Sequence, residues 1–275
     1  MTNLAWLSHA ILQLEPHPEA RTIARLLLDA ATQLRFAHLL APDDELSQDQ
    51  QNGLNEWLGR AKAGEPLPYI LGIAPFFGRD WPVEAGVLIP RGETELLVEA
   101  VLQHAPEAAK IAELGTGSGI IAGTLSLERR HWNIFATELS PLARKVAFCN
   151  FKSLGARVQL IEGREDDWLG PIEPFAPFDC IVSNPPYIAS GEIEHLQASV
   201  RDFEPRLALD GGQDGLNPYR QIAQNARALL SEAGFVALEV GWDQKSAIES
   251  LFAQWTSLEW KFDLAGIART CLVWK

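Results

Sequence analysis

Cysteine is scarce in this 275-residue sequence: only Cys149, Cys180 and Cys271 occur, and they form no C-x-x-C pair. An odd number of scattered cysteines indicates neither a disulfide framework nor a thiolate zinc site, and it favours a reducing compartment. The six histidines show no spacing typical of a catalytic triad or a metal centre. We therefore expect no bound metal.

Long apolar runs and excess positive charge are also missing. No run approaches the roughly 20 residues that cross a bilayer, and the N-terminus has no basic segment followed by an apolar stretch and a cleavage site. The sequence has 23 Lys and Arg against 36 Asp and Glu, and this net charge of −13 opposes attraction to nucleic-acid backbones and anionic lipids. We expect a cytoplasmic monomer without membrane or nucleic-acid partners.

The residues that are present predict a globular protein with a helical beginning. Hydrophobic residues make up 47% of the sequence and charged residues 21%. Helical spacing of apolar residues predicts helices over residues 3–14 and about 23–34, and the capping-box pair Ser47 and Gln50 begins a third that stops near Gly64. Residues 1–65 are therefore predicted to form a small helical domain.

Residues 66–92 contain short apolar pieces that Pro and Gly interrupt. They are predicted to be a connector with one hairpin that pairs 76–83 with 87–89.

Strands and helices alternate from residue 93 onward. The pattern predicts strands at 110–114, 133–138, 158–162, 178–183, 235–240 and 270–274, with helices at 120–128, 141–153, 219–230 and 244–252. Such alternation is typical of an α/β fold with a doubly wound, mostly parallel sheet covered on both faces. Residues 93–275 are therefore predicted to form one α/β domain.

A glycine-rich segment, Glu113-Leu-Gly-Thr-Gly-Ser-Gly119, ends a predicted strand and opens a predicted helix. Its glycines can bring backbone N–H groups close to a ligand, although a tight strand-to-helix turn also needs glycine. Glu138 ends the next strand, where an acidic side chain can accept hydrogen bonds from both hydroxyls of a ribose. An exposed strand-end acid, or an acid at the start of the Pro141 helix, is the alternative. The spacing is not the dinucleotide-binding G-x-G-x-x-G.

These features resemble class I S-adenosylmethionine-dependent methyltransferases, whose E/D-x-G-x-G-x-G motif and acidic strand end are similar. The resemblance implies S-adenosyl-L-methionine as the cofactor. It also implies an adenine contact after the third strand, where Glu165, Asp166 and Trp168 are all candidates and Trp168 could equally be an aromatic at the edge of the core. The cofactor-binding residues implied are Gly115, Thr116, Gly117, Ser118, Gly119, Glu138, Trp168 and Asn184.

The segment Asn184-Pro-Pro-Tyr187 directly follows a predicted buried strand. Its prolines remove backbone donors and leave two acceptors, the Asn184 side-chain oxygen and the Pro185 carbonyl, with the Tyr187 ring alongside. Two acceptors could hold both N–H bonds of a planar amide or ring amine and aim its nitrogen at a sulfonium methyl group. A rigid strand-ending turn is the alternative, but in this motif order N-P-P-Y resembles amino-group methyltransferases. We predict Asn184, Pro185 and Tyr187 as catalytic, and all four residues, including Pro186, as substrate contacts.

The flanking segments resemble the HemK/PrmC family of peptide-chain release factor glutamine methyltransferases. The segments are Pro68-Tyr-Ile-Leu-Gly72, Phe76-Phe-Gly78, Val87-Leu-Ile-Pro-Arg-Gly-Glu-Thr-Glu95, Phe203-Glu-Pro-Arg-Leu-Ala-Leu-Asp-Gly-Gly212 and Asp263-Leu-Ala-Gly-Ile267. The resemblance implies a seven-stranded methyltransferase sheet, an N-terminal helical domain that recognises the substrate, and a β-hairpin between them. It also implies methylation of the glutamine amide in the Gly-Gly-Gln loop of peptide chain release factors.

The sequence departs from this family at Gly92, where proline is common, and in its adenine-side segment. Arg91, Glu93 and Glu95 are predicted either to position the connector over the active site or to cap the helix that begins near Thr94.

Two other functions are compatible with part of the pattern. N-P-P-Y also occurs in enzymes that methylate adenine or guanine amines, but the acidic balance and the lack of an evident basic recognition module argue against a nucleic-acid methyltransferase. A non-catalytic scaffold that keeps the fold is the second alternative, and the intact glycine and N-P-P-Y motifs argue against it.

Overall fold

The computed structural model describes all 275 residues, and the chain folds into two compact units. The helical unit comprises Met1–Ile73 and Gln197–Phe203, and the sheet unit comprises Ala74–Leu196 and Glu204–Lys275. Helices and strands are numbered along the chain. None of the helices combines the length and the apolar character needed to span a membrane.

The helical unit packs short amphipathic helices around one apolar core. Its helices are α1 (Asn3–Leu14), α2 (Ala20–Thr32), α3 (Ala37–Leu40), α4 (Gln48–Lys62), α5 (Leu67–Leu71) and α9 (Ala198–Arg201). Trp6, Leu27 and Leu54 are fully buried between these helices. The predicted capping box of α4 is present: Ser47 Oγ accepts from Gln50 N at 3.2 Å, and Gln50 Oε1 accepts from Ser47 N at 2.9 Å.

The hairpin lies earlier in the chain than the sequence predicted. Strand β1 (Ile73–Phe76) pairs with β2 (Arg79–Pro82) across the two-residue turn Phe77-Gly78. Both turn residues have positive φ, 49° and 70°, as tight two-residue hairpins require. The predicted pairing of 76–83 with 87–89 is therefore wrong, because the chain reverses at residue 77. Val87 packs against Ala143 and Val146 instead.

Seven strands of the sheet unit form a single sheet. The strands β3 to β9 are Lys110–Leu114, Asn133–Glu138, Val158–Glu162, Phe178–Ser183, Leu230–Glu239, Ser257–Phe262 and Ala268–Trp274. Their order is β5-β4-β3-β6-β7-β9-β8, with the first five parallel and β9 antiparallel to both of its neighbours. The predicted doubly wound, mostly parallel sheet is confirmed.

Helices cover both faces of this sheet. The helices are α6 (Thr94–His104), α7 (Ile120–Glu128), α8 (Pro141–Leu154), α10 (Asn217–Leu229) and α11 (Lys245–Leu251). Ile111 and Cys180 pack toward α6, α7 and α8, whereas the next residues in the chain, Ala112 and Ile181, pack toward α10 and α11. Successive strand residues thus enter two separate apolar cores, which explains why the inner strands are almost continuously apolar.

The strand order reverses between β3 and β6. These two strands are neighbours, and each begins one half of the sheet. Ligands of open α/β sheets bind at such a point, beyond the carboxyl ends of the strands. Leu114 at the end of β3 is in register with Ser183 at the end of β6. The glycine-rich turn and the Asn-Pro-Pro-Tyr turn therefore leave adjacent strands at the same level.

Candidate active site

The glycine-rich turn joins β3 to α7 in a conformation that needs glycine. Gly115, Gly117 and Gly119 have φ angles of 71°, 57° and 86°, which residues with a Cβ rarely adopt. A Cβ on Gly119 would lie 2.6 Å from the Phe151 ring. A Cβ on Gly117 would meet no atom within 4 Å, and Gly117 lines a cavity, so this glycine leaves room for a ligand against the backbone.

Glu138 is buried at the end of β4 and is not an exposed strand-end acid. Its side chain is only 8% exposed and lines the same cavity. Oε2 accepts from Gly117 N at 2.7 Å, and Oε1 accepts from Ser140 N at 2.8 Å. Burial raises the pKa of Glu138, and the hydrogen bonds from backbone N–H groups oppose that rise. The Leu139 backbone also donates to this carboxylate. A carboxylate has about four lone pairs in all, so the side chain can hold the turn and still accept from a ligand.

Glu113, the first residue of the glycine-rich motif, is a second buried acid beneath the turn. Its Oε2 accepts from Thr116 Oγ1 at 2.5 Å and from Ala122 N at 2.9 Å. Burial raises the pKa of Glu113 to about 7, against the effect of the Thr116 hydrogen bond. The Thr116 side chain is therefore buried against Glu113. Glu113 fixes the turn to the first residues of α7.

The cavity has a volume of about 380 Å³, a size typical of small-molecule sites. The predicted site residues that line it are Gly115, Gly117, Glu138, Trp168, Asn184 and Pro186. Those that do not line it are Thr116, Ser118, Gly119, Pro185 and Tyr187. All three candidates for the adenine side, Glu165, Asp166 and Trp168, lie on its wall. The Trp168 ring packs 3.4 Å from the position of a Cβ on Gly115.

Asn184 follows β6 and is held by the start of α6 and the end of β7. Its Nδ2 donates to Thr94 Oγ1 at 3.3 Å, and Thr94 Oγ1 donates to Glu239 Oε2 at 2.6 Å. Thr94 is 1% exposed and Glu239 3%. Burial raises the pKa of Glu239 to about 7, while hydrogen bonds from Thr94 and Asn184 lower it. The Asn184 amide oxygen Oδ1 accepts no hydrogen bond from the chain.

The rest of the Asn-Pro-Pro-Tyr turn is fixed through its backbone. Gln244 Nε2 donates to the Tyr187 carbonyl at 2.8 Å, and a Cβ on Gly215 would lie 2.3 Å from that carbonyl oxygen. A Cβ on Gly211 would lie 2.7 Å from the Pro186 carbonyl oxygen. Burial raises the pKa of the Tyr187 phenol to about 12, so this side chain is neutral at physiological pH.

Of the three charged residues Arg91, Glu93 and Glu95, two make side-chain contacts that tie the part of the connector in the sheet unit to other segments of that unit. Arg91 Nη2 donates to Glu204 Oε1 at 2.5 Å, and Glu204 Oε2 also accepts from Ile89 N at 3.2 Å. Glu95 Oε1 accepts from Phe77 N, in the hairpin turn, at 2.7 Å. Neither interaction caps α6, and Glu93, its N-cap, makes no side-chain capping bond. Arg91 therefore holds the end of the connector against the segment after Phe203, and Glu95 holds the hairpin turn of the connector against α6.

The sequence analysis assigned no individual role in the site to several of these residues: Thr94 as a partner of Asn184, Glu113, Glu204, Glu239 and Gln244. One signal was available for Glu239, which is a lone acid in the apolar strand segment Phe235-Val-Ala-Leu-Glu-Val240. Buried charges of this kind are rare unless they are paired. No cluster of three His, Cys, Asp or Glu residues in the chain could hold a metal ion.

Two solved structures share this fold. A methyltransferase from Pyrococcus furiosus matches 83% of this chain and 98% of its own at a TM-score of 0.54 and 18% identity. The hMettl16 catalytic domain in complex with MAT2A 3′UTR hairpin 6 matches 83% of this chain and 82% of its own at a TM-score of 0.58 and 15% identity. At these identities the likeness concerns the fold alone.

The sequence comparisons are more specific. Residues 5–72 match the model of the PrmC N-terminal domain, and residues 92–212 match the methyltransferase small domain. Release factor glutamine methyltransferases from Koribacter versatilis and Neisseria gonorrhoeae are 38% and 41% identical to this chain. The first alignment covers 92% of this chain and 90% of the relative, and the second covers 90% and 91%.

The sheet order, with a glycine-rich turn and an Asn-Pro-Pro-Tyr turn at adjacent strand ends, defines an S-adenosyl-L-methionine-dependent methyltransferase. Identity of this level over nine-tenths of the chain gives the particular family. The chain belongs to the release factor glutamine methyltransferases.

Proposed function

We propose that this enzyme transfers a methyl group from S-adenosyl-L-methionine to the side-chain amide nitrogen of the glutamine in the Gly-Gly-Gln motif of peptide chain release factors. One observation carries the proposal: an Asn184 side chain with a free amide oxygen lines the cavity that Gly117 and Glu138 also line. The match over nine-tenths of the chain to relatives named release factor glutamine methyltransferase supports this substrate.

The residues around the cavity fit the methyl donor. Gly117 leaves space for a ligand against the backbone, Glu138 offers carboxylate lone pairs for ribose hydroxyls, and Trp168 offers an aromatic face. We propose that these residues hold the donor, together with Gly115. When it is bound, S-adenosyl-L-methionine supplies an electrophilic methyl group on a sulfonium sulfur.

Asn184 and Pro185 are proposed to orient the acceptor. The nitrogen of an amide is a poor nucleophile because its lone pair is delocalised into the carbonyl group. Asn184 Oδ1 and the Pro185 carbonyl can accept its two N–H bonds, which orients the nitrogen and stabilises the positive charge that develops on it. No base has to remove a proton beforehand, because the N–H becomes acidic only as the C–N bond forms and the C–S bond of the donor breaks to leave a neutral thioether. The released proton then passes to water. Tyr187, as a neutral phenol, contributes its ring rather than a base.

The decisive experiment measures transfer of labelled methyl from S-adenosyl-L-methionine to a purified release factor. The matched control is the same factor with the glutamine of its Gly-Gly-Gln motif replaced by alanine, and nucleic acid is offered in parallel. We expect label on the glutamine-containing factor alone. Label on nucleic acid would favour a nucleic-acid amino-methyltransferase, and cofactor binding without any transfer would favour a scaffold.

The proposal also assigns roles to the segments of the chain and a working state to the enzyme. We propose that residues 1–65 recognise the release factor, that residues 66–92 connect them to the catalytic domain at 93–275, and that the enzyme works as a cytoplasmic monomer without a nucleic-acid partner. Exposed leucines on α1 and α3, Leu12, Leu39 and Leu40, are two-thirds exposed and offer an apolar surface for a protein partner.

A further inference from the structure

The Asn184 amide is held by two buried partners from distant parts of the chain. Thr94 is the first residue of α6, and Glu239 is the last residue of β7. Ser183 at the end of β6 is in register with Leu238, so Asn184, directly after β6, follows at the same level as Glu239, the last residue of β7. The hydrogen bonds run in one direction, from Asn184 Nδ2 to Thr94 Oγ1 and from Thr94 Oγ1 to Glu239 Oε2. The Glu239 carboxylate also accepts a hydrogen bond from Asn184.

This direction determines which end of the amide is available to a ligand. A carboxylate is an acceptor only, and a hydroxyl has one hydrogen to donate. Because the Thr94 hydrogen goes to Glu239, Thr94 offers Asn184 only a lone pair. The partner of that lone pair must be the NH₂ end of the Asn184 amide. Rotating the amide by 180° would place its oxygen against two acceptors, and it would turn an NH₂ group toward the substrate, whose own N–H bonds need acceptors.

We propose that Thr94 and Glu239 are positioning residues for methyl transfer: together they orient the Asn184 amide so that Oδ1 is free to accept from the reacting glutamine amide. The inference rests on the proposed function and deepens it, because it explains how a side chain with two interchangeable ends always presents an acceptor. Neither residue needs to touch the substrate, since both act through Asn184.

The orientation depends on the charge of Glu239. A protonated Glu239 can donate to Thr94 Oγ1, which frees the Thr94 hydrogen to bond the oxygen end of the Asn184 amide. Burial, with a smaller contribution from Glu93, raises the pKa of Glu239 to about 7, while the Thr94 hydrogen bond, Arg269 and the Asn184 hydrogen bond act in the opposite direction. The correct orientation should therefore be lost as the pH falls below about 7. The titratable and charged groups that face Glu239 are Glu93, Tyr187, Tyr219 and Arg269.

The first test compares three variants in labelled methyl transfer at saturating cofactor. Thr94→Val keeps the side-chain shape and removes the hydroxyl, and we expect kcat to fall about 10- to 100-fold with unchanged cofactor affinity. Thr94→Ser restores the hydroxyl and should recover most of kcat. Thr124→Val is the matched control, because Thr124 is fully buried in α7 and its hydroxyl has no hydrogen-bond partner. It should leave kcat near the wild-type value.

The second test uses pH. Wild-type kcat should decline as the pH falls below about 7. Glu239→Gln, which cannot ionise, should have a lowered kcat without that decline.

The third test adds Thr94→Val to Asn184→Ala and measures single-turnover transfer, in which slow rates remain measurable. If Thr94 acts through Asn184, the second substitution causes no further loss.

Three results would overturn the inference: a Thr94→Val variant as active as Thr124→Val, a full additional loss in the double variant, or a wild-type pH profile in Glu239→Gln. These outcomes are distinguishable from failure of the proposed function. That failure would appear in the wild-type enzyme itself, as absence of label on the glutamine of the release factor.

Discussion

At the scale of single residues, Glu138 has two tasks for one carboxylate. It accepts from the backbone of Gly117 and Ser140, which holds the glycine-rich turn next to the start of α8, and its side chain also lines the cavity. Its position at a strand end was predicted from the sequence, but its structural hydrogen bonds were not. The sequence suggested two roles for Glu138, a contact to the ligand and an acid at the start of the Pro141 helix. One side chain can fill both roles.

Glu138→Ala should weaken binding of S-adenosyl-L-methionine about 10- to 100-fold, because a hydrogen bond to a charged group is lost. The matched control is Glu162→Ala: Glu162 is the register partner of Glu138 on β5, but its side chain is 74% exposed. Calorimetric titration of both variants measures the difference. Equal affinities in the two variants would move the ribose contact to another residue.

At the scale of elements, local sequence signals located most helices and strands because they act within a few residues. The strands at 110–114, 133–138, 158–162 and 178–183 have the predicted bounds. Strand β8 was not predicted, although Leu258, Trp260 and Phe262 alternate with polar residues, which is a strand pattern. The hairpin was misplaced because its turn depends on positive φ at Phe77, a bulky residue in which this conformation is uncommon.

The capping box of α4 gives a test at this scale. Ser47→Ala removes the acceptor for Gln50 N and should destabilise the helical unit by about 1 kcal/mol. Ser8→Ala is the control, since Ser8 lies exposed within α1 and its hydroxyl only donates to Leu4 O. Denaturant unfolding followed by circular dichroism measures both. Equal stability of the two variants would show that the Ser47 hydroxyl contributes nothing to the stability of the helical unit.

At the scale of the whole molecule, the fold buries carboxyl groups at the carboxyl end of the sheet. Glu113 and Glu239 are 1% and 3% exposed, and burial raises the pKa of each from 4.5 to about 7. The unfolded chain releases these protons near pH 4.5, whereas the folded chain keeps them up to about pH 7. Their contribution to stability is therefore fully present below pH 4.5 and is lost as the pH rises through 7.

Glu113→Gln removes one of these two titrations. As the pH rises from 5 to 7, the wild type loses the contribution of Glu113 and the variant does not. We therefore expect the stability of the variant relative to the wild type to increase over this range by on the order of 2 kcal/mol. Glu99→Gln, at an exposed position on α6, is the control and should follow the wild-type curve. Free energies of unfolding at several pH values measure this. Parallel curves for Glu113→Gln and wild type would contradict the assignment.

The sequence by itself determined the features that depend on neighbouring residues: the glycine turn, the capping box, the strand periodicity and the acceptor-rich Asn-Pro-Pro-Tyr turn. It also carried the family resemblance. Only the tertiary structure decided which buried groups meet, because Thr94 and Asn184 are 90 residues apart and Thr94 and Glu239 are 145 residues apart. Their contact arises from strand order and register, which bring distant chain segments together and which no local spacing in the sequence records.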